Sequence, residues 1–385
     1  MEDKYCLSKS HQRASSVSIF LMAVLFSANI LAYELPYGWL VTNGFRKNAK
    51  IGFVNPPSES KQISLKTVPT PESAKRILDD LFSRNNSKAL VVAQGADLLY
   101  EKYSFGVGKR NTPLGYSMSK SLTSLAVGKA ICDGHISSLD APLKNYLPTL
   151  AGTSWGEASV RHVLRMSSGA YLTSMQFNGH KNREMEQFIG SAISDGKMNA
   201  DFIELMIKSD EKSFDPGKIF NYSNFDTIAL GLLVQASTGM PFNQYFEKTV
   251  WADAGAESQG AWFVNGKNQA STYNGFSARP HDWIRIGHMV LRELKDDTSC
   301  FGKYLNEATK KQINSWGPAS EYGFQIWTQC GRGTDFCFVG FGGQYLLFNV
   351  EKNLVLYHHA TTTSPIVWGT PGFMGPLADA LKQDR

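Results

Sequence analysis

The chain has 385 residues, of which 42% are apolar and 19% are charged. These values are ordinary for a globular protein, exclude a long disordered chain, and allow one large domain or two closely joined domains. The formal net charge at pH 7 is +5, and the basic residues are scattered along the chain. Because they form no basic stripe with interleaved aromatic residues, a nucleic acid is not an expected partner.

The first 32 residues have the pattern of a secretory signal. Basic residues precede an almost unbroken apolar run over 17–31, and small and polar residues follow it. That run is shorter than the roughly 20 residues that a membrane-spanning helix needs. We predict that residues 1–32 are a signal peptide and that the protein is exported, either periplasmic or secreted. An uncleaved signal anchor is the alternative, and no further membrane span is expected.

The next part of the chain predicts a helix followed by a strand hairpin. Residues 33–70 contain several prolines and are expected to be an irregular extension. A threonine cap followed by a proline predicts a helix over 71–82. The apolar run over 89–94 predicts a buried strand, and the alternation over 98–103 predicts its hairpin partner.

The middle of the chain has helical patterns, whereas its end is rich in strand patterns. The clearest predicted helices are 118–133, 225–238, 242–249 and 281–294. Strands are predicted over 323–328, 344–350 and 353–359, followed by a closing helix over 376–383.

Strands at both ends with helices between them predict an α/β (α+β) fold. It would have an antiparallel sheet that both chain ends build, flanked by helices, with an inserted all-helical domain. We expect residues 71–135 and 296–385 to form the α/β domain and residues 136–295 to form the helical domain.

The cysteines predict one local disulfide and no metal site. Cys330 and Cys337 flank a predicted hairpin tip, so a bond between them is expected, with two free thiols as the alternative. Cys132 lies in an apolar helical pattern and is expected to be a core residue. Because no cysteine pair has metal-ligand spacing, and neither HExxH nor CxxC occurs, no metal or other cofactor is expected.

Ser117 and Lys120 form a Ser-x-x-Lys pattern at the start of a predicted helix. Residues three apart share a helix face, so a neutral lysine amine could accept the proton of the serine hydroxyl. The same pattern occurs at 58–61, 194–197 and 209–212, where it falls in loop or charged sequence. Only Ser117 follows a strand hairpin and opens a long helix. The alternative for Ser117 is a capping serine.

Tyr222 and Asn224 form a Tyr-x-Asn pattern at a second junction of loop and helix. A phenol near a lysine could relay a proton to a leaving group. The alternative is a buried tyrosine whose hydroxyl has an ordinary hydrogen-bond partner.

Taken together, these motifs resemble the serine β-lactamase and penicillin-recognising superfamily over roughly residues 85–360. The chain is similar to its class C-like branch, which includes β-lactamase-fold esterases, D-amino-acid peptidases and 6-aminohexanoate-dimer hydrolases. Further matching landmarks are Pro216-Gly217, the segment 163–169, and Ser277-Ala278-Arg279. The resemblance implies an active site in the crevice between an α/β domain and a helical domain, with Ser117, Lys120 and Tyr222 as catalytic residues.

The chain departs from the family where a Lys-Thr-Gly strand is expected. The best match is Gly340-Phe341-Gly342-Gly343, which has no lysine to hold a substrate carboxylate. A backbone N–H of Gly342 or Gly343 is expected to complete an oxyanion hole with that of Ser117. A simple glycine-rich bend is the alternative. Asn224 and Tyr171 are further candidates for contact with substrate.

These observations predict a serine hydrolase that cleaves a small linear ester or amide through an acyl-enzyme on Ser117. A β-lactamase or D-alanyl peptidase is one alternative, and a penicillin- or peptide-binding sensor without turnover is another. The expected partner is a small molecule or a short peptide, and the sequence predicts no oligomeric state.

Overall fold

In the computed structural model, the described residues are 50–84, 86–104, 107–170, 201–316, 319–331, 335–361 and 371–383. The predicted signal segment lies outside them. The strands are β1 Lys50–Val54, β2 Lys66–Thr67, β3 Ser87–Gln94, β4 Asp97–Tyr103, β5 Gly260–Val264, β6 Phe276–Ser277, β7 Ile313–Asn314, β8 Glu321–Tyr322, β9 Trp327–Thr328, β10 Phe336–Gly340, β11 Gln344–Asn349 and β12 Leu354–Ala360.

The helices surround these strands and occupy much of the middle of the chain. They are α1 Glu72–Arg84, α2 Met118–Cys132, α3 Ser154–Glu157, α4 Val160–Leu164, α5 Phe202–Lys208, α6 Asn224–Thr238, α7 Phe242–Phe246, α8 Pro280–Leu294, α9 Cys300–Ala308 and α10 Met374–Gln383. Within the described ranges, none of them is long and apolar enough to span a membrane.

Both ends of the described chain contribute to one large sheet. Its strand order is β2-β4-β3-β12-β11-β10-β9-β8-β7, and its strand pairs are antiparallel except for β2 with β4. Strand β12 pairs with β3 from Leu354 opposite Gln94 to Ala360 opposite Ser87. The predicted origin of the sheet in both chain ends is therefore confirmed.

Alternating apolar residues bury both faces of this sheet, as their period of two requires. On one face, Val91 and Tyr357 belong to the apolar core that includes residues of α2 and α8. On the other face, Val92 and Leu356 belong to a core with residues of α1 and α10. The helix that Ser117 opens therefore packs against the sheet rather than lying on the surface.

The structure corrects two expectations about domain composition. Strands β1 and β2 lie within 33–70, which was expected to be irregular. Strand β1 pairs with β5, and β5 with β6, so the part predicted to be all-helical contains a three-stranded sheet. Helix α8, which the predicted boundary at residue 295 assigns to the helical part, packs against the large sheet.

The predicted strand over 323–328 is shorter than expected. Only Trp327–Thr328 is extended, and it pairs with Glu321–Tyr322. The reason is Gln325, whose φ of 57° lies in the left-handed region and cannot continue a strand.

Two disulfides connect the four cysteines of the described residues. Cys330 is bonded to Cys337, at the predicted hairpin. Cys132 packs against the apolar core, as expected, and is also bonded to Cys300, which was not predicted. Cys132 is the last residue of α2 and is only half-buried, while Cys300 begins α9. A helical pattern could not reveal this pair, because its partners are 168 residues apart.

The segment just before α2 lies between the small sheet and the hairpin of β10 and β11. Gly115 donates its N–H to the Phe276 carbonyl at 2.8 Å. On the other side, Gly340 approaches the Gly115 carbonyl so closely that an added Cβ would lie 2.2 Å from that oxygen. Both contacts fix the backbone that leads into Ser117.

Candidate active site

Ser117 lies immediately before α2, and its hydroxyl is not used to cap that helix. Its backbone is helical, with φ −66° and ψ −7°, and its side chain makes no capping hydrogen bond. A capping serine has extended backbone and accepts a bond from the first turn, so the capping alternative does not describe Ser117. The preceding residue, Tyr116, has a φ of 49°, which is uncommon for a residue with a side chain.

The amine of Lys120 is buried beside Ser117. The side chain is 1% exposed, and Nζ lies 3.5 Å from Ser117 Oγ. Nζ also donates to Asn224 Oδ1 at 2.7 Å and to the Tyr273 carbonyl at 2.9 Å. Neither acceptor is charged. If the amine is neutral, these two bonds use both of its N–H groups and leave its lone pair for the third direction, that of Ser117.

Tyr222 lies near the same hydroxyl. Its phenol interacts electrostatically with the Ser117 side chain, and the centroid of its ring is 5.1 Å from Lys120 Nζ. Burial raises the pKa of the Tyr222 phenol above its ordinary value, although the interaction with Ser117 opposes the shift. The Tyr222 phenol is therefore protonated at neutral pH. It can relay a proton to a leaving group, but it cannot serve as the general base that deprotonates Ser117.

The start of α6 holds Asn224 against Lys120. Ser223 caps this helix by accepting a hydrogen bond from the Phe225 N–H. Two residues after Asn224, the buried carboxyl of Asp226 accepts bonds from Ser168 Oγ at 2.7 Å and Trp155 Nε1 at 3.0 Å. The segment 163–169 is thereby bound to the helix that carries Asn224.

The glycine-rich stretch forms the turn between β10 and β11. Gly342 and Gly343 have φ of 79° and 92°, which glycine adopts readily. The Phe341 ring contacts the Tyr116 ring, with centroids 5.8 Å apart. The turn therefore lies beside Ser117. That the backbone N–H of Gly342 or Gly343 completes the oxyanion hole with that of Ser117 stays a prediction. If the register differs by one residue, the N–H of Phe341 takes this role.

A buried histidine holds this turn from behind. Burial lowers the pKa of His358 to about 4, so its ring is neutral at pH 7. Its Nδ1 lies 2.9 Å from the Gly343 carbonyl, which can only accept, so Nδ1 carries the proton. Its Nε2 then accepts from Ser87 Oγ at 2.7 Å. The carbonyl of Gly343 is thus fixed by a strand of the sheet.

The structure brings Ser117, Lys120, Tyr222 and Asn224 together, as their motifs predict. Tyr171 lies outside the described residues. Sequence reasoning missed the Tyr273 carbonyl as an acceptor for Lys120 and also missed the buried amide of Gln325 below the site. Neither contact has a local sequence signal, because a backbone carbonyl is present at every residue and a lone glutamine forms no motif.

The sequence model of the family described as "Beta-lactamase" matches residues 84–367. The chain belongs to the beta-lactamase family. This result confirms the resemblance and the fold class, and the match contains every residue of the cluster around Ser117.

Two relatives of this family member carry the same descriptive name. The 6-aminohexanoate-dimer hydrolase of Paenarthrobacter ureafaciens is 25% identical over 217 residues, which are 56% of this chain and 54% of that protein. The match thus spans about half the length of the curated relative. A solved structure from Bacillus anthracis, provisionally named a 6-aminohexanoate-dimer hydrolase, has a TM-score of 0.70 at 18% identity, covering 91% of this chain and 93% of that one.

A third relative is the solved structure of EstCE1, a hydrolase with promiscuous acyltransferase activity. Its TM-score is 0.60 at 14% identity, covering 80% of this chain and 97% of that one. At such identities the two structural likenesses show the shared fold. The family and the name of the curated relative agree with the expectation of a hydrolase.

Proposed function

We propose that this member of the beta-lactamase family is a serine hydrolase that cleaves an ester or amide through an acyl-enzyme on Ser117. The observation that carries the proposal is the position of Ser117 Oγ, which lies 3.5 Å from the buried Lys120 Nζ, with the phenol of Tyr222 interacting with the same side chain. A nucleophile within reach of a base, with the base held by further groups, is the arrangement that acyl transfer requires.

In the proposed mechanism, neutral Lys120 accepts the Ser117 proton while Oγ attacks the substrate carbonyl. The backbone N–H groups of Ser117 and of one residue in 341–343 stabilise the oxyanion. The proton then passes from Lys120, by way of the Tyr222 hydroxyl, to the leaving alcohol or amine. Water then attacks the acyl carbonyl and gives a proton to Lys120. The bond between the acyl carbon and Ser117 Oγ breaks, Oγ takes that proton back from Lys120, and the acid product leaves.

The proposed substrate is a small linear ester or amide. The turn 340–343 offers no lysine for a substrate carboxylate, which disfavours efficient action on penicillins. The name of the curated relative, a hydrolase of a linear amide dimer, supports the same choice. A β-lactamase or D-alanyl peptidase is the second candidate, because a penicillin-binding protein from Bacillus halodurans shares the fold with a TM-score of 0.56.

The test is a panel of chromogenic short-chain esters, a linear ω-amide, a D-alanyl peptide and a chromogenic cephalosporin. We expect ester or linear amide turnover in the wild type and at least a ~10³-fold loss in Ser117→Ala. Ser58→Ala is the matched control, because Ser58 belongs to another Ser-x-x-Lys pattern but is exposed in a loop. It should keep wild-type activity.

Equal turnover by wild type and Ser117→Ala would overturn the proposal. A stoichiometric burst without further turnover would instead indicate the binding or sensor function. Rapid cephalosporin turnover would show that the missing lysine does not exclude β-lactams.

A further inference from the structure

Gln325 is a buried glutamine in the short connection between β8 and β9. It is 1% exposed, and its φ of 57° is uncommon for a residue with a side chain. Burial of a primary amide costs free energy unless its donors and acceptor find partners. The surrounding residues must therefore supply hydrogen-bond partners for both N–H groups and the oxygen of the Gln325 amide.

The partners of Gln325 come from three helical segments. Its Oε1 accepts from Thr227 Oγ1 of α6 at 2.7 Å. Its Nε2 donates to the carbonyls of Val163 and Leu164 in α4, at 3.1 and 3.0 Å. Its backbone carbonyl accepts from Ser121 Oγ of α2 at 2.6 Å. Both N–H groups and the oxygen of the amide are thereby used.

Two of these partners lie next to the catalytic cluster. Ser121 directly follows Lys120 in α2. Thr227 lies three residues after Asn224 in α6, so the two side chains lie on neighbouring positions of one helix face. The bond between Lys120 Nζ and Asn224 Oδ1 is also a contact between these two helices. Gln325 therefore connects α2 and α6 at residues 121 and 227, next to the point where the bond between Lys120 and Asn224 connects the same two helices.

We propose that Gln325 is a positioning residue for Lys120. Its backbone carbonyl holds α2 and its amide joins α4 to α6. Together these bonds fix the separation at which Asn224 Oδ1 meets the Lys120 amine, and hence the direction of that amine toward Ser117. This inference rests on the proposed role of Ser117. A displacement of about 1 Å at a reacting group can lower a rate by as much as roughly a hundredfold.

A glutamine that only stabilises the fold would be the simpler explanation, and Gln269 supplies the matched control. It is also buried, at 6% exposure. Its Oε1 accepts from the Phe202 N–H and from Asn265 Nδ2, and its Nε2 donates to Asp201 Oδ1. None of these partners belongs to the cluster around Ser117.

The experiment compares Gln325→Met with Gln269→Met, because methionine keeps the length of glutamine but forms none of its hydrogen bonds. Thr227→Val, which removes one bond to Gln325, is the milder variant if Gln325→Met does not fold. We measure melting temperature, kcat and KM for a chromogenic ester, and the Lys120 Nζ to Asn224 Oδ1 distance in crystal structures. Active sites are counted by burst titration.

We expect both methionine variants to melt at lower temperature. Only Gln325→Met should lower kcat, by about tenfold to a hundredfold with KM within twofold, and lengthen the Nζ to Oδ1 distance beyond hydrogen bonding. Thr227→Val should show the same pattern with a smaller fall in kcat.

An unchanged Nζ to Oδ1 distance, or an equal fall in kcat for Gln269→Met, would overturn the inference. Wild type without any acyl-enzyme or turnover would contradict the proposed function instead. The distance measurement would still decide whether Gln325 positions Lys120.

Discussion

At the residue scale, Asp226 makes stability depend on pH. Its carboxyl is buried, and burial raises its pKa from 3.8 to about 7, against the opposing effect of its bonds from Ser168 and Trp155. Between these two pH values the folded state binds more protons than the unfolded state. The free energy of unfolding therefore falls as the pH rises from about 4 to about 7.

We expect Asp226→Asn to remove this dependence. Relative to wild type, its free energy of unfolding should increase by about 2 to 4 kcal/mol between pH 4.5 and pH 7.5. Urea unfolding of both proteins across this range measures the difference. Asp97→Asn, at an exposed position, is the control and should follow the wild-type curve. A difference between Asp226→Asn and wild type that does not vary with pH would contradict the argument.

The residues of the site that could be predicted are those whose chemistry depends on spacing along the chain. Ser117 and Lys120 share one helix turn, and Tyr222 and Asn224 share one loop-to-helix junction, so local pattern was sufficient for both pairs. Tyr273 and Gln325 contribute through tertiary contacts, from a carbonyl and from a left-handed residue. Such contacts depend on which helices pack together, and a single sequence does not contain that information.

At the element scale, the β10–β11 hairpin can contact the segment before α2 because residue 340 is a glycine and has no side chain. A methyl group on Gly340 would meet the Gly115 carbonyl, which belongs to the backbone and has little room to move. Such overpacking costs roughly 1–3 kcal/mol and shifts the backbone. The hairpin and the nucleophile segment would therefore separate.

We predict that Gly340→Ala lowers kcat for the ester by about 10²- to 10³-fold, the loss that follows when an oxyanion-hole donor is displaced. Gly372→Ala is the matched control, because an added Cβ there meets no atom of the described residues within 4 Å. It should be indistinguishable from wild type. Wild-type kcat in folded Gly340→Ala would show that the turn takes no part in catalysis.

The elements that agree best with the sequence are the long helices with clear ends. Helix α6 ends at Thr238 before Gly239, whose φ is 69°, and its predicted end is the same residue. Strands β1 and β2 escaped prediction because they are short, and their exposed positions show no sustained alternation. Their pairing partners, not their own composition, make them strands.

At the scale of the whole molecule, the disulfide Cys132–Cys300 connects the end of the helix that begins after Ser117 with α9. Its partners are 168 residues apart, so the chain-entropy model assigns it about 5 kcal/mol. The same model assigns about 2.5 kcal/mol to Cys330–Cys337, whose partners are 7 residues apart. The Cys132–Cys300 disulfide, which closes the longer loop, should therefore contribute more to the free energy of unfolding.

We predict that the pair of changes Cys132→Ser and Cys300→Ser destabilises the protein more than Cys330→Ser with Cys337→Ser. Urea unfolding of the purified, oxidised proteins measures both losses. Wild type in the presence of a strong reductant serves as the comparison in which both bonds are broken. The opposite order of stability would contradict this account.

We propose on the same ground that residues 1–32 direct export. Disulfides persist in oxidising compartments such as the periplasm and are rare in the cytosol. Two of them among the described residues support an exported protein. Mass spectrometry of the N-terminus of the protein recovered from cell fractions would test both the export and the cleavage.

The pairing of β3 with β12 also has a consequence for biogenesis. A nascent chain contains Ser117 and Lys120 long before it contains residues 354–360, yet the central strands of the sheet meet only when Leu354 reaches Gln94. Such non-local pairing gives the fold a high contact order and slows its completion. The arrangement of side chains around Ser117 would thus form only after most of the chain has been synthesised, which would suit the proposed export.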